Sequence, residues 1–424
     1  MIKLLCLLLS ASLFITAEWP PERKPGTVPT REQIEWQRSE FGLFCHFGIN
    51  TFNDKEWSDG TLSPQTFNPT DFNADQWAQT AKRCGMKYLI FTAKHHDGFC
   101  LWPTAFTDYS VKSSPWRSGK GDAVKEVSEA CKRAGIKFGF YLSPWDRHEP
   151  SYKDSAAYDK HFMSQLRELL TKYGEISEVW FDGAGSEGHV YDWAGYYRLI
   201  KQLQPRALTA IAGVADIRWV GNEDGVAPET VHNVQMVDGK PYWQPAECDV
   251  PIRLGHWFWH PNDEGSLLPL VHLIEVYHRS VGHGAGLLLN VAPDVRGRLP
   301  DADVARLGEL WNAIQRQYGK NVAARAQKFE RTGSKGGEVE LQMREPVTFD
   351  RMSVREDISR GQHVDSYKLE IWDRVTWKPL CEGTTIGNRR LDRFAPYKSD
   401  RVRLRYTTTG GPAKIEDLAL FSAL

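Results

Sequence analysis

Two segments of this 424-residue chain repeat one local design: AKRCGMKYLIF from Ala81 and CKRAGIKFGFY from Cys131. Each reads as the end of a helix, a glycine (Gly85, Gly135) able to take the left-handed conformation beyond a helix C-terminus, and then an apolar strand. Helix-period stretches, FNADQWAQTAKR and AVKEVSEACKR, precede them. A third unit follows, SQLRELLTKYG leading to EISEVWFDG. Helix, glycine and strand in alternation specify βα units around a parallel sheet. Further strands are predicted at 41–50, 207–213 and 286–293. Roughly seven such units over about 300 residues suit a (β/α)8-like barrel better than an open doubly wound sheet. The open sheet would offer a glycine-rich phosphate turn after an early strand, and the sequence has none.

The pattern changes near residue 325. EVELQMREPVTFDRMSVRE, SYKLEIWDR and DRVRLRYTTT alternate apolar and polar residues without a helical period. The expected organisation is a signal peptide over 1–17, a barrel over 18–325 and an antiparallel β-sandwich over 326–424. The leader is read from Lys3, the apolar run Leu4 to Ile15 and the small Ala17; that run is too short to span a bilayer. No other segment is long and apolar enough to cross a membrane. A periplasmic or secreted, bacterial protein is the expectation, and the absence of an N-x-S/T sequon with a permitted middle residue leans the same way. Lys plus Arg number 53 against 54 Asp plus Glu, so nothing points to nucleic acid as a partner.

In a barrel of this kind, polar residues at strand C-termini line the face where active sites sit. His46, Lys94 to Asp97, Tyr141 to Asp146 and Asp182 all fall there. The histidine pair in KYLIFTAKHHDGFCLWP has three readings: a metal site, a polar small-molecule pocket, or a plain strand end. Adjacent histidines on an extended strand diverge, and neither His95 nor His96 is part of an HxH or HxxxH pair, which disfavours metal. Asp182 ends the apolar strand EVWF, where it either points into the barrel mouth or forms an Asp-Gly turn. Acid/base or nucleophilic chemistry requires a second carboxylate, and Glu187, Glu223, Asp224, Glu229, Glu247 and Asp249 follow in sequence. Among Trp243, Trp257 and Trp259, Glu247 would be desolvated, as a proton donor requires; the alternative is an ordinary loop glutamate paired with Arg253.

Taken together, FGLFCHFGIN, KEW, KYLIFTAKHHDGFCLWP, FGFYLSPWD, EVWFDG, DIRWVGNEDG and GLLLNVAPD resemble, in order and spacing, the α-L-fucosidases of glycoside hydrolase family 29. The resemblance runs from about Glu40 to Asp294 and extends to the appended β-sandwich. It implies that Asp182 is the catalytic nucleophile. It also implies a sugar pocket built from His46, Glu56, Trp57, His95, His96, Tyr141 and Trp180, to which Arg253 and Trp259 are added as substrate contacts. The PAECDVPIR segment is similar to the branch acting on α-1,3 and α-1,4 linkages, which puts the acid/base on Glu247; Pro251 and His256 depart from that branch's pattern.

The implied activity is retaining, exo-acting hydrolysis of terminal fucose from glycans such as Lewis-type epitopes, with no metal or organic cofactor. Phe99, Leu101 and Trp102 should then pack beneath the loop presenting the histidines. The alternatives are a broad α-L-fucosidase acting on α-1,2 and aryl fucosides, a non-catalytic fucose-binding barrel, and a metal-dependent barrel hydrolase.

Overall fold

The computed structural model describes residues 25–423, so the predicted leader lies outside the described residues. Helix α1 (Arg31–Ser39) leads into β1 (Phe41–Cys45). Three βα units follow: α2 (Ala74–Arg83) into β2 (Tyr88–Lys94), α3 (Ala123–Ala134) into β3 (Lys137–Leu142), and α4 (Ser155–Lys172) into β4 (Glu178–Phe181). Helix α5 (Trp193–Leu203) precedes β5 (Leu208–Ile211), and then come β6 (Arg218–Trp219), the hairpin β7 (Val234–Val237) with β8 (Lys240–Trp243), and β9 (Ala246–Pro251). Helix α6 (Leu270–Ser280), β10 (Gly286–Asn290) and α7 (Asp301–Tyr318) complete this half.

Eight strands pair in parallel in the order β5-β4-β3-β2-β1-β10-β9-β6, the predicted barrel. The punctuating glycines adopt the conformation their positions require, with φ of 78° at Gly85 and 71° at Gly135. A side chain at Gly85 would also strike the Trp311 ring, 2.3 Å from its Cβ position. Aspartate and asparagine start the helices: Asn73 accepts from Gln76 N and Asp122 from Lys125 N.

The alternation of helix and strand fails along one arc. Only residues 212–217 separate β5 from β6, whereas a parallel crossover normally takes at least roughly ten residues. The two strands therefore meet at a single bridge, Ala210 to Ile217, which is the seam of the barrel. Between β6 and β9 a hairpin replaces the helix. Neither β6 nor β9 is among the predicted strands: the first is two residues long, and the second follows Pro245 and ends on Pro251.

Two layers of core follow from the side-chain alternation of the strands. Leu43, Leu89, Phe91 and Val179 face the helices, whereas Phe44, Ile90, Tyr141, Trp180 and Leu288 fill the barrel interior. Phe99, Leu101 and Trp102 are buried in the outer layer, as expected beneath the loop that presents the histidines.

The C-terminal part is all antiparallel: β11 (Gln327–Gly333), β12 (Gly336–Glu356), β13 (Val364–Trp372), β14 (Trp377–Gly383), β15 (Arg390–Thr408) and β16 (Ile415–Phe421). The order is β11-β12-β15-β13-β14, with β16 on β12. The long β12 breaks register between Gln342 and Val347 and again between Phe349 and Arg351, and such bulges bend a strand. One core takes residues from both halves of β12, so the sheet curls around it. The module docks where the barrel begins: Glu40 receives Arg389 at 2.7 Å and Arg355, and Asn388 Nδ2 donates to the Gln37 carbonyl at 2.8 Å.

Candidate active site

A cavity of about 1150 Å³ opens at the C-terminal ends of the strands, and no residue of the C-terminal module lines it. His46 directly follows β1, His95 and His96 follow β2, Tyr141 lies in β3, Trp180 lies in β4 and Asp182 directly follows it; all line the cavity.

Asp182 lies at the centre of this group. Tyr141 donates its hydroxyl to Oδ2 at 3.1 Å and the Ala184 amide donates to Oδ1 at 2.8 Å. The carboxylate is oriented by both and keeps 26% of its side-chain surface open to the cavity. His96 Nε2 stands 3.6 Å from Oδ2. The His96 tautomer follows from its other side: Ser143 gives its only hydrogen to the Trp145 carbonyl (2.7 Å), so its oxygen must accept from His96 Nδ1–H (2.7 Å). Nε2 therefore offers a lone pair beside Asp182.

The same logic fixes His46. Asn290 donates its amide to the Trp257 carbonyl at 2.8 Å, so its oxygen accepts from His46 Nδ1–H at 2.9 Å, and Nε2 again carries the lone pair. Burial holds the His46 pKa at about 3 and that of His96 at about 4, the latter despite Asp182 pulling it upward. Burial also lowers His95 well below the usual histidine value. At neutral pH the site therefore carries three uncharged imidazoles, two of which present acceptors suited to a hydroxyl donor.

Aromatic rings close the walls. Trp180 stacks on Tyr141 with centroids 5.4 Å apart and planes at 23°, Trp257 lies 5.0 Å from the His46 ring, and Trp57 packs edge-on against His96 at 5.2 Å. Glu56 lines the cavity but directs its carboxylate to the loop after β9, accepting from Trp257 N at 2.9 Å and Phe258 N at 3.2 Å. His260, which the sequence reading missed, bridges Glu56 (2.6 Å) and Asp54 (2.5 Å). Burial opposes charge on that ring, but the hydrogen bonds to Asp54 and Glu56 outweigh it and raise its pKa. The available signal was the HWFWH run, whose last residue is His260.

Three predicted site residues are not at the cavity. Glu247 is the second residue of β9 and points into the barrel, fully buried, where Tyr88 donates to Oε1 at 2.9 Å and Trp180 Nε1 to Oε2 at 3.0 Å. It is desolvated as expected, with burial raising its pKa, but it is sealed beneath Trp180 and cannot reach a leaving group. Arg253 is buried and grips Asp303 on α7 through Nε (3.0 Å) and Nη2 (2.7 Å), a structural pair that anchors the loop carrying Trp257. Trp259 does not line the cavity; Trp257, two residues earlier, does.

The carboxylates that share the cavity with Asp182 are Glu56, Glu223, Asp224, Asp249 and Glu275. Glu223 is exposed on the loop after β6 and accepts from Trp257 Nε1 at 3.3 Å. Asp249 is buried, with burial raising its pKa well above the carboxylate range against a 2.7 Å hydrogen bond from Trp219. His95 and His96 have ring centroids 4.1 Å apart, yet no group of three histidine, cysteine or acidic side chains suited to a metal exists among the described residues.

A family model described as alpha-L-fucosidase matches residues 53–317, the segment that carries this cavity. The chain belongs to the α-L-fucosidase family. Alpha-L-fucosidase 1 of Arabidopsis thaliana is 40% identical over 418 residues, covering 87% of this chain and 82% of its own. A glycoside hydrolase 29 family member from an unknown rumen bacterium superposes with a TM-score of 0.84 at 38% identity, over 95% of this chain and 78% of that one. The GH29 fucosidase of Ruminococcus gnavus in complex with fucose superposes with a TM-score of 0.85 at 30% identity, over 96% and 97%. This α-L-fucosidase is thus a glycoside hydrolase with both the barrel and the antiparallel module of its solved relatives. Among its described residues no helix is long and apolar enough to cross a membrane.

Proposed function

We propose that this α-L-fucosidase is a retaining exo-enzyme that removes terminal α-1,3- or α-1,4-linked fucose, with Asp182 as nucleophile and Glu223 as acid/base. The observation that carries the reading is Asp182: oriented by Tyr141 and the Ala184 amide, and open to a cavity whose histidines are neutral. A nucleophilic carboxylate needs this combination of fixed direction and access.

Asp182 attacks the anomeric carbon as the bond to the leaving oxygen breaks and Glu223 gives that oxygen its proton. Glu223 then takes a proton from water, which displaces Asp182 and releases fucose with its configuration retained. Glu223 is preferred over Asp249 for this role because it stands exposed on a mouth loop, whereas Asp249 lies buried under Trp219. His46 and His96 accept hydrogen bonds from sugar hydroxyls through Nε2, and Phe44 and Trp257 offer an apolar wall to the 6-deoxy methyl group. The linkage reading rests on the PAECDVPIR segment, which is similar to the branch acting on α-1,3 and α-1,4 linkages. The leader over 1–17 makes an exported, periplasmic or secreted enzyme part of the same proposal; N-terminal sequencing of the mature protein checks it.

The decisive test is NMR of a Lewis-type trisaccharide and of 2′-fucosyllactose with the enzyme and with Asp182→Ala. Release from the Lewis sugar alone, first as the α-anomer, supports the reading. Equal release from both substrates replaces it with a broad specificity, and a first-formed β-anomer removes the retaining mechanism.

A further inference from the structure

One layer beneath the cavity, the barrel encloses a second pair of acids that the hydrolysis does not use. Glu178 opens β4 and Glu247 lies near the start of β9; they are 1% and 0% exposed. Neither has a salt-bridge partner among the described residues. The titratable and charged groups whose fields reach the pair are Tyr88 on β2, Lys137 at the start of β3, Asp249 on β9 and, from the outer side of β9, Cys248. Two negative charges side by side in such a place would be costly, so the pair retains one proton at neutral pH.

The hydrogen bonds show which carboxyl holds it. Both oxygens of Glu247 are already acceptors, from Tyr88 and Trp180. Glu178 Oε2 accepts from Trp36 Nε1 at 2.8 Å, but Glu178 Oε1 is buried with no donor to accept from. A hydrogen on that oxygen, donated to Glu247, satisfies every group. Glu247 then remains a carboxylate held by three donors, one of them the Trp180 indole. That indole lines the cavity and stacks on Tyr141, which in turn donates to Asp182.

We propose that Glu247 is a positioning residue of the fucosidase reaction, acting through Trp180 and dependent on a proton that Glu178 holds. The inference rests on the fucosidase reading above. Raising the pH removes that proton, sets two buried charges against each other, and frees the Trp180 ring from its fixed direction.

The test is the pH dependence of kcat and KM between pH 5 and 9 with an aryl α-L-fucoside, whose leaving group needs no protonation, so that loss of the acid catalyst does not mask the effect. Wild type is expected to lose kcat on the alkaline side. Glu178→Gln, whose amide N–H₂ is a permanent donor to Glu247, is expected to abolish that fall. Glu247→Gln has one carbonyl for two donors and is expected to lower kcat by about tenfold or more across the range. An alkaline fall in Glu178→Gln identical to that of wild type overturns the proposal. So does a Glu247→Gln kcat within about threefold of wild type. If Glu247→Gln does not fold, the Glu178→Gln profile decides alone. A folded wild type that turns over no fucoside sinks the fucosidase reading and this inference together, whereas an active wild type with insensitive variants removes only the positioning role.

Discussion

Asp182 and Glu247 end up in different layers of one barrel, although both sit among tryptophans in apolar sequence. Asp182 stands one residue beyond the end of β4, where the strand stops and the carboxylate meets the cavity. Glu247 stands inside β9, where every second side chain points into the barrel and Trp180 lies above it. The first carboxylate has two donors and an open side; the second has donors all round and none. An aromatic neighbourhood thus marks a desolvated acid without saying whether substrate can reach it. Position relative to the strand end decides that.

The comparison can be broken at several points. The largest expected effect is at the open carboxylate: Asp182→Ala should lower kcat/KM on an aryl fucoside by about 10³-fold or more. Added azide should restore turnover with inversion, read as β-fucosyl azide by NMR. Glu223→Gln should cost about 10²-fold on a Lewis-type sugar but far less on an aryl fucoside, with azide giving the retained α-azide. The same azide product from a Glu247 variant would return the acid/base role to the buried residue.

Arg253 is next: Arg253→Met leaves Asp303 buried without its partner, an expected loss of about 3–5 kcal/mol in urea unfolding. KM should rise as the Trp257 loop loosens. The smallest effect concerns pH and stability. His46 and His96 resist protonation in the fold, at about 3 and about 4, against roughly 6.5 when unfolded. Between these values the unfolded chain binds more protons, so stability is complete above about pH 6.5 and falls as the pH drops toward 4. Thermal unfolding of His96→Asn over that window should show a shallower fall than wild type.

Much of this was legible in the sequence because it is local. The helix–glycine–strand repeats announce the barrel, and the apolar run that stops at Asp182, or at Lys94 before His95 and His96, marks where a strand delivers polar side chains to the mouth. Glu247, Arg253 and Trp259 were misplaced for one shared reason. Prolines just before β9 and at its end hid the strand, so the segment read as a loop and its inward alternation was lost. The Arg253 partner, Asp303, is fifty residues away on α7, a distance that no spacing rule spans. The Glu178–Glu247 pair likewise exists only once β4 and β9 are brought into one barrel.

The arginines that grip Glu40 have a consequence for how the chain is made. β1 is the first barrel strand to leave the ribosome, yet it pairs with β10, and the acid just ahead of it is neutralised by Arg355 and Arg389, synthesised some 300 residues later. The C-terminal module thus latches the first barrel strand, and nascent barrels wait with that strand's entrance unguarded. Chains halted before Gln327 should be cleaved near Glu40 by a glutamate-specific protease that leaves the full-length protein intact.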